Sequence, residues 1–401
     1  MRRRLVGPLL FVPIAAALLS YEPPRAQAQG NDPIEETFLT ADGVQLRGLF
    51  LKSAKNPGTD PVVILLYPPG KDNNMEKGDW KGLAATLSKE GYNVFRFDWR
   101  GHGKSTDIKD TARFWNIQGP NDQFPPNPFT GPWNNGKMIV GAPPQPNKRI
   151  KNDLFFKDLK VPDRYAPTLI LDLAAVRYHL DSKNDAGDVN TSSIYLIGSD
   201  TAATLGIAWL ATEWNRPAIV PTPNQLAVMA PGAFPTYRYV PQPLNGGVTD
   251  EAGANISGAI WLSPSRPTTV NELQVKNWVS KTAPKLRENN PMLFLYADKD
   301  TKGKAQAEFF FNEVLVANPK PGSPLQKLEQ TFIREVKGAN TLSGVNLLGQ
   351  DATLGTESTI LKFLAAIQKE RAKLIRKNRG FTGPWSIQLS GTNPGFGFLP
   401  P

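Results

Sequence analysis

The stretch SSIYLIGSDTAATL, residues 192–205, limits what this chain can fold into more than any other. Its first half is apolar on successive residues, which suits a strand covered on both faces. After Gly198-Ser199-Asp200 the spacing changes to that of a helix running on through Ala208, Trp209, Leu210 and Trp214. So short a turn from a buried strand into a helix belongs to a βα unit of a parallel sheet rather than to a hairpin. Asp200 stands in the turn itself.

The same rhythm runs along the chain. Thr37 to Lys52 alternates about Asp42-Gly43 and predicts an opening β-hairpin. PVVILLYPPGKDN (61–73) predicts a strand buried on both faces, Asp79 to Glu90 a helix, and YNVFRFDWRGHGKS (92–105) a second strand entering a Gly-rich turn. From Thr106 to about Pro162 the pattern breaks into Pro, Asn, Trp and Gly, too long for an ordinary connection. Helical periodicity returns over 166–180, followed by a strand (193–198) and a helix (200–214). A second Pro/Gly-rich insertion spans about 215–253. Strands at 258–264, 291–300 and 330–339 then alternate with helical segments at 271–286, 305–317 and about 356–378. The expected fold class is α/β: a mainly parallel sheet with helices on both faces and two insertions, each a lid or a decoration. FTGPW, at 129–133 and 381–385, reads as a shared Gly-Pro turn, with a pair of carbohydrate-stacking platforms as the sharper alternative.

Residues 1–28 open with Arg2, Arg3 and Arg4, continue through the apolar run Leu9 to Leu19 and end in Ala26-Gln27-Ala28, the order of a secretory signal cut after Ala28. The run is short for a bilayer span, so a permanent anchor is the weaker reading, and no later stretch could serve as a transmembrane helix. That leaves 29–380 as the α/β domain and 381–401 as a C-terminal tail. With no cysteine, export brings no disulfide, no lipid-modified cysteine and no thiolate metal site. Of the net charge of +10, the signal carries +3, and much of the rest sits late in KERAKLIRKNRG (369–380). Those bases read as a solvated helix end complementing the helix dipole, or as a surface for an anionic envelope polymer or membrane. No nucleic-acid-binding motif is recognisable.

In an open α/β sheet, ligands gather at the carboxyl ends of the strands. Four such ends are distinctive: LLYPPGKD (65–72), DWRGHGKS (98–105), IGSDTAA (197–203) and YADKD (296–300). In order and spacing they resemble the α/β-hydrolase superfamily over about residues 35–378. DWRGHGKS is similar to the DxRGxGxS turn after the fourth strand, and LLYPPGKD to the oxyanion-hole segment after the third, without its usual His-Gly. IGSDTAA falls at the GxSxG nucleophile elbow, with Gly198 and Ala202 in the glycine positions and Asp200 in the centre. The resemblance places Asp300 in the role of the triad acid, so Asp200 and Asp300 are the positional equivalents of nucleophile and acid. Reading Ser199 as the nucleophile requires a one-residue shift that puts Ile197 and Thr201 where the turn needs small residues.

An elbow aspartate is compatible with chemistry, since haloalkane dehalogenases and epoxide hydrolases resemble this fold and form an ester on an aspartate. They still need a histidine to activate water. Both histidines, His102 and His179, precede the elbow, and the loop expected to carry the triad histidine, KGANTLSG (337–344), offers Asn340 or Thr341. Neither is a base near neutral pH. His102 occupies a variable position of DxRGxGxS and reads as an exposed turn residue; His179 lies on the helix before the elbow strand, at the end opposite the expected pocket. Asp298 and Asp72 could join Asp200 and Asp300 as paired acids or around a hard cation such as calcium. No EF-hand spacing or glycosidase framework supports this, and Asp298 and Asp300 read more simply as loop and helix-capping acids. No cofactor or metal is expected.

The expectation is an exported hydrolase-fold protein with a degenerate triad, non-catalytic, that binds a small molecule or envelope polymer or serves a structural role. The alternative is an atypical hydrolase of esters or related substrates using Asp200 with Asp300. A third reading, overlapping the first, is envelope binding through the basic tail and Trp-rich insertions.

Overall fold

The computed structural model describes residues 32–111, 114, 152–158, 165–216, 218–221, 237–240, 251–316, 331–371, 377, 385–389 and 394–398. The leader at 1–28, most of both insertions, the first FTGPW and residues 381–384 of the second lie outside the described residues. Contacts divide the chain into 1–32 and 33–401, and every described strand and helix belongs to the second unit.

The opening hairpin is β1 (Ile34–Leu39) and β2 (Gln45–Leu51), joined through the turn at Gly43, whose φ of 87° suits glycine. Beyond it come β3 (Pro61–Leu66), helix α1 (Trp80–Glu90), β4 (Asn93–Phe97), α2 (Ile170–Ala186), β5 (Asn190–Ser199) and α3 (Thr201–Asn215). A short antiparallel pair, β6 (Ala218–Pro221) and β7 (Tyr237–Val240), lies within the second insertion. The series continues with β8 (Ile256–Leu262), α4 (Glu272–Val279), α5 (Ala283–Asn289), β9 (Met292–Ala297), α6 (Thr301–Phe309), β10 (Thr331–Val336) and α7 (Thr356–Arg371). In the tail β11 (Trp385–Leu389) and β12 (Pro394–Phe398) pair antiparallel.

Eight strands form one sheet in the order β1-β2-β4-β3-β5-β8-β9-β10. From β4 through β10 every neighbouring pair is parallel, while β2 runs antiparallel to both of its neighbours. The central strands β3, β5 and β8 are buried at every residue, as their unbroken apolar runs require between two helical layers. On one face the Tyr195 hydroxyl donates to Gln368 Oε1 of α7 at 2.9 Å. On the other, Gly206 of α3 sits against Trp261 of β8. Among the described residues no helix is long and apolar enough to cross a membrane.

Several elements differ from the sequence reading in extent. The 271–286 segment is two helices: Asn271 closes a capping box on Gln274 to start α4, and Pro284, without an N–H, sits in the first turn of α5. The helix expected over 305–317 begins at Thr301, because Asp300 caps it, and passes into a π-helical turn at Phe310–Val314.

Helix α3 comes close to the sheet at Gly206, where a Cβ would lie 2.5 Å from Trp261 Cη2; at Gly198 it would lie 3.0 Å from Trp261 Cζ3. Trp261 is fully buried and has nowhere to turn. Gly206→Val is therefore expected to cost about 2–3 kcal/mol through overpacking, and Gly198→Val less. Chemical denaturation measures both; a cost at Gly206 below that at Gly198 would contradict the packing described.

Candidate functional site

Asp200 follows the last residue of β5 and precedes α3 with φ 50° and ψ −127°, a conformation costly for a residue with a side chain. Three backbone hydrogen bonds hold it there. Its N–H donates to the Leu262 carbonyl at 3.0 Å, and its own carbonyl accepts from Ser265 and from Ala203, each at 3.1 Å. Ser199, the neighbouring hydroxyl, is fully buried inside the strand end.

The residues that meet the Asp200 carboxylate differ from those expected. Asn340, at φ 53°, is turned away: its N–H donates to Asp298, its carbonyl accepts from the Lys299 N–H at 2.9 Å, and its side-chain oxygen accepts from Lys299 Nζ at 2.8 Å. Thr341 is exposed. The loop reaches Asp200 further along, where Ser343 Oγ donates to Asp200 Oδ1 at 3.3 Å and Gly344, at φ 58°, packs its backbone so closely that a Cβ would lie 2.0 Å from Oδ2. Glycine is needed twice over at this position, for its φ and for the space. Ser343 and Gly344 lie in the loop 337–344 that the sequence singled out, but not as its contact, because nothing local fixes how far the loop travels before it turns inward.

Asp300 caps α6, its Oδ1 accepting from the Gly303 N–H at 2.9 Å, while Oδ2 is buried with no hydrogen-bond partner among the described residues. Asp298 and Asp72 are exposed. Burial pushes the Asp200 carboxyl up to about 6, the Ser199 and Ser343 hydroxyls opposing that shift and the charge of Asp300 adding to it. The folded state thus keeps a proton on Asp200 between the ordinary carboxylate value of 3.8 and about 6 that the unfolded chain has already lost. Stability from this group is greatest below that window and falls as pH rises through it. Asp200→Asn is accordingly expected to stabilise the protein by about 1–2 kcal/mol at pH 7 and by little at pH 3.5. Urea melts at the two pH values test this, and an Asn variant less stable at pH 7 would reverse the sign.

His102 is not the exposed turn residue that its position suggests. It is 3% exposed, with its ring 4.3 Å from that of Phe156. Nε2 accepts from the Gly70 N–H at 3.0 Å, so the proton sits on Nδ1, which donates to the Arg100 carbonyl at 3.0 Å. Burial pushes its pKa down to about 4. Both nitrogens are thus committed, Nε2 to the β3–α1 segment and Nδ1 within the turn after β4. In that segment Pro68 and Pro69 have no N–H, and the Gly70 N–H is taken by His102. The sequence already contained the two prolines as a signal that backbone donors were lost here. His179 accepts or donates at Glu36 at 2.7 Å and stacks on Phe38 at 4.7 Å, far along α2 from its elbow end.

The remaining residues of DWRGHGKS hold the turn together. Asp98 accepts from the Met75 N–H at 2.9 Å and the Lys104 N–H at 3.2 Å, and Ser105 Oγ accepts from the Arg47 N–H at 2.8 Å. Arg100, fully buried, pairs with Asp42 at 2.6 Å and Asp172 at 2.7 Å. Among the described residues no group of three or more His, Cys, Asp or Glu side chains could hold a metal ion.

No protein-family model matches the chain. Over 120 residues it is 32% identical to the uncharacterised protein YfhR of Escherichia coli, in strain K12 and in O157:H7, a match that takes in 27% of this chain and 42% of the relative. The chain thus spans less than half the length of the curated relatives it matches. Among solved structures, an esterase from Pyrococcus furiosus aligns over 83% of this chain and 90% of its own, with 16% identity and a TM-score of 0.43. An alpha-beta serine hydrolase homologue from Coxiella burnetii aligns over 84% and 100%, with 13% identity and a TM-score of 0.41. A putative alpha/beta hydrolase from Agrobacterium tumefaciens aligns over 86% and 100%, with 16% identity and a TM-score of 0.43. At these scores the likenesses carry no argument about chemistry.

Proposed function

We propose that the chain is an exported protein of α/β-hydrolase fold, with residues 1–28 as its secretory signal, 29–380 as the domain and 381–401 as a tail, and that it works by binding or as a structural element rather than by ester hydrolysis. The observation that carries this reading is the surrounding of Asp200. A serine and a glycine backbone meet its carboxylate where a triad would present a histidine. His102 is buried, neutral and engaged at both nitrogens, so it cannot relay a proton. At Pro68, Pro69 and Gly70 the oxyanion segment offers two prolines and an engaged glycine N–H, so these three positions present no donor to developing charge.

The test is a fluorophosphonate probe together with a broad panel of ester substrates on the mature protein. No labelling and no turnover are expected, since Ser199 is fully buried. Labelling at Ser199, or turnover of any ester, would overturn the reading.

One observation favours an atypical hydrolase instead: Asp200 combines a strained backbone with a carboxyl raised to about 6, a pairing that collects at active sites. In that reading Asp200 acts as nucleophile or base with Asp300 beside it. Turnover of an ester, epoxide or haloalkane that is abolished by Asp200→Asn would establish it. The basic residues of 369–380 support an anionic envelope polymer as the ligand class, which a wall-polymer pull-down with and without residues 369–401 examines.

A further inference from the structure

A second site lies away from Asp200. The amino ends of β9 and β10, the end of α5 and one face of α7 surround a cavity of about 580 Å3, the size of a small-ligand pocket. Pro291, Leu293, Phe332, Phe363 and Ile367 make its walls apolar, with the Phe332 and Phe363 rings meeting edge to face at 6.2 Å. Arg371 lines it too. Rather than the solvated helix-end cation expected from the charge run, Arg371 is half-buried and donates to the carbonyls of Ala254, Ile256 and Asn289 at 3.0, 3.3 and 3.1 Å. Burial holds its pKa below the ordinary value.

A guanidinium carries five N–H donors, and neutral carbonyls here take up three contacts while neutralising no charge. Among the described residues no carboxylate pairs with Arg371. The acids that line the cavity, Glu288 and Glu370, are exposed, as is Lys362, so solvent screens their charges at the rim. A partly desolvated cation beside aromatic and aliphatic walls favours a ligand that is apolar along its body and anionic at one end. We propose that this cavity binds an amphipathic monocarboxylate, its chain or ring lying against Phe332, Phe363 and Ile367 and its carboxylate on Arg371. The site is at the amino ends of its strands, whereas Asp200 follows the carboxyl end of β5, so the proposal does not depend on the reading of Asp200.

The experiment is calorimetric titration of the mature full-length protein with sodium decanoate, decan-1-ol and decyltrimethylammonium. Decanoate is expected to bind saturably, at least about tenfold more tightly than the alcohol, and the cation not at all. Arg371→Gln should bring decanoate down to the alcohol's affinity. Ala366→Trp, at an exposed position lining the cavity, should block both, and this variant together with the alcohol comparison decides the matter if the Arg371 variant does not fold. Asp200→Asn should leave decanoate binding unchanged. Absence of saturable decanoate binding, equal affinity for the alcohol, indifference to Ala366→Trp, or loss of binding in the Asp200 variant would each overturn the proposal.

Discussion

Arg100→Met is expected to destabilise the protein by about 3–5 kcal/mol, the range for removing one partner of a buried ion cluster. Arg100 has no exposed surface and binds the Asp42 carboxylate through two nitrogens, at 2.6 and 3.0 Å. Its Nε and backbone N–H donate to the two oxygens of Asp172 at 2.7 and 2.9 Å. These contacts tie the β1–β2 turn, the turn after β4 and the start of α2 to one side chain. Methionine fills similar volume but leaves two buried carboxylates without a cation. Burial already pushes Asp172 up to about 6 with the guanidinium in place. Without it, Asp172 is driven further toward its protonated form in the folded state, so the deficit should be larger at pH 8 than at pH 5. Denaturant midpoints at the two pH values measure this, and adding Asp172→Asn to the Arg100 variant should recover part of the loss. A cost under about 1 kcal/mol, or a deficit that grows toward low pH, would show that the cluster is not what holds these three segments together.

Building a serine triad on this backbone is expected to fail for want of oxyanion donors, and then to respond when one is supplied. Asp200→Ser with Ser343→His places a hydroxyl and an imidazole where the structure brings the elbow and the last loop together, 3.3 Å apart in the present side chains. Of the two positions the sequence offered, Asn340→His would put the ring beside Lys299 and Asp298 instead, and Thr341 is exposed. Fluorophosphonate labelling of the double variant should remain at least about 100-fold slower than an intact oxyanion hole permits, since one missing donor costs about 10²–10³ in rate. Adding Pro69→Gly restores a backbone N–H in the β3–α1 segment and should raise labelling by about tenfold or more. Rapid labelling of the double variant would show that donors elsewhere suffice. No response to Pro69→Gly in a folded protein would place the loss in the histidine or in Asp300, which is occupied in capping α6.

The arrangement of strands and helices was legible because it rests on local pattern. Runs such as Val62 to Leu66 and Ile194 to Ile197 can only be strands covered on both faces, and alternation with helical spacing dictates a parallel sheet. The turn at Asp200 was legible for the same reason: small residues flank it, and its positive φ is the strain that such a turn imposes. Helix ends were less so. Asp300 was read as a capping acid and does cap, yet the helix it starts was placed about four residues late, and Pro284 split another expected helix in two, since a boundary depends on where the preceding chain leaves the sheet.

The sequence by itself determined the strand–helix series, the aspartate in the β5–α3 turn and the scarcity of histidine, all of which are properties of residue identity and spacing. Tertiary structure decided which groups stand beside that aspartate. Gly70 and His102 are 32 positions apart and Asp200 and Ser343 are 143 apart, and both pairs meet only because strands distant in sequence end at one edge of the sheet. The same holds for burial: His102 reads as a turn residue in its own segment and becomes neutral and unavailable only once Phe156 and Gly70 close over it. A side chain's protonation and partners depend on the water removed from around it, and that removal is made by segments that the local sequence does not contain.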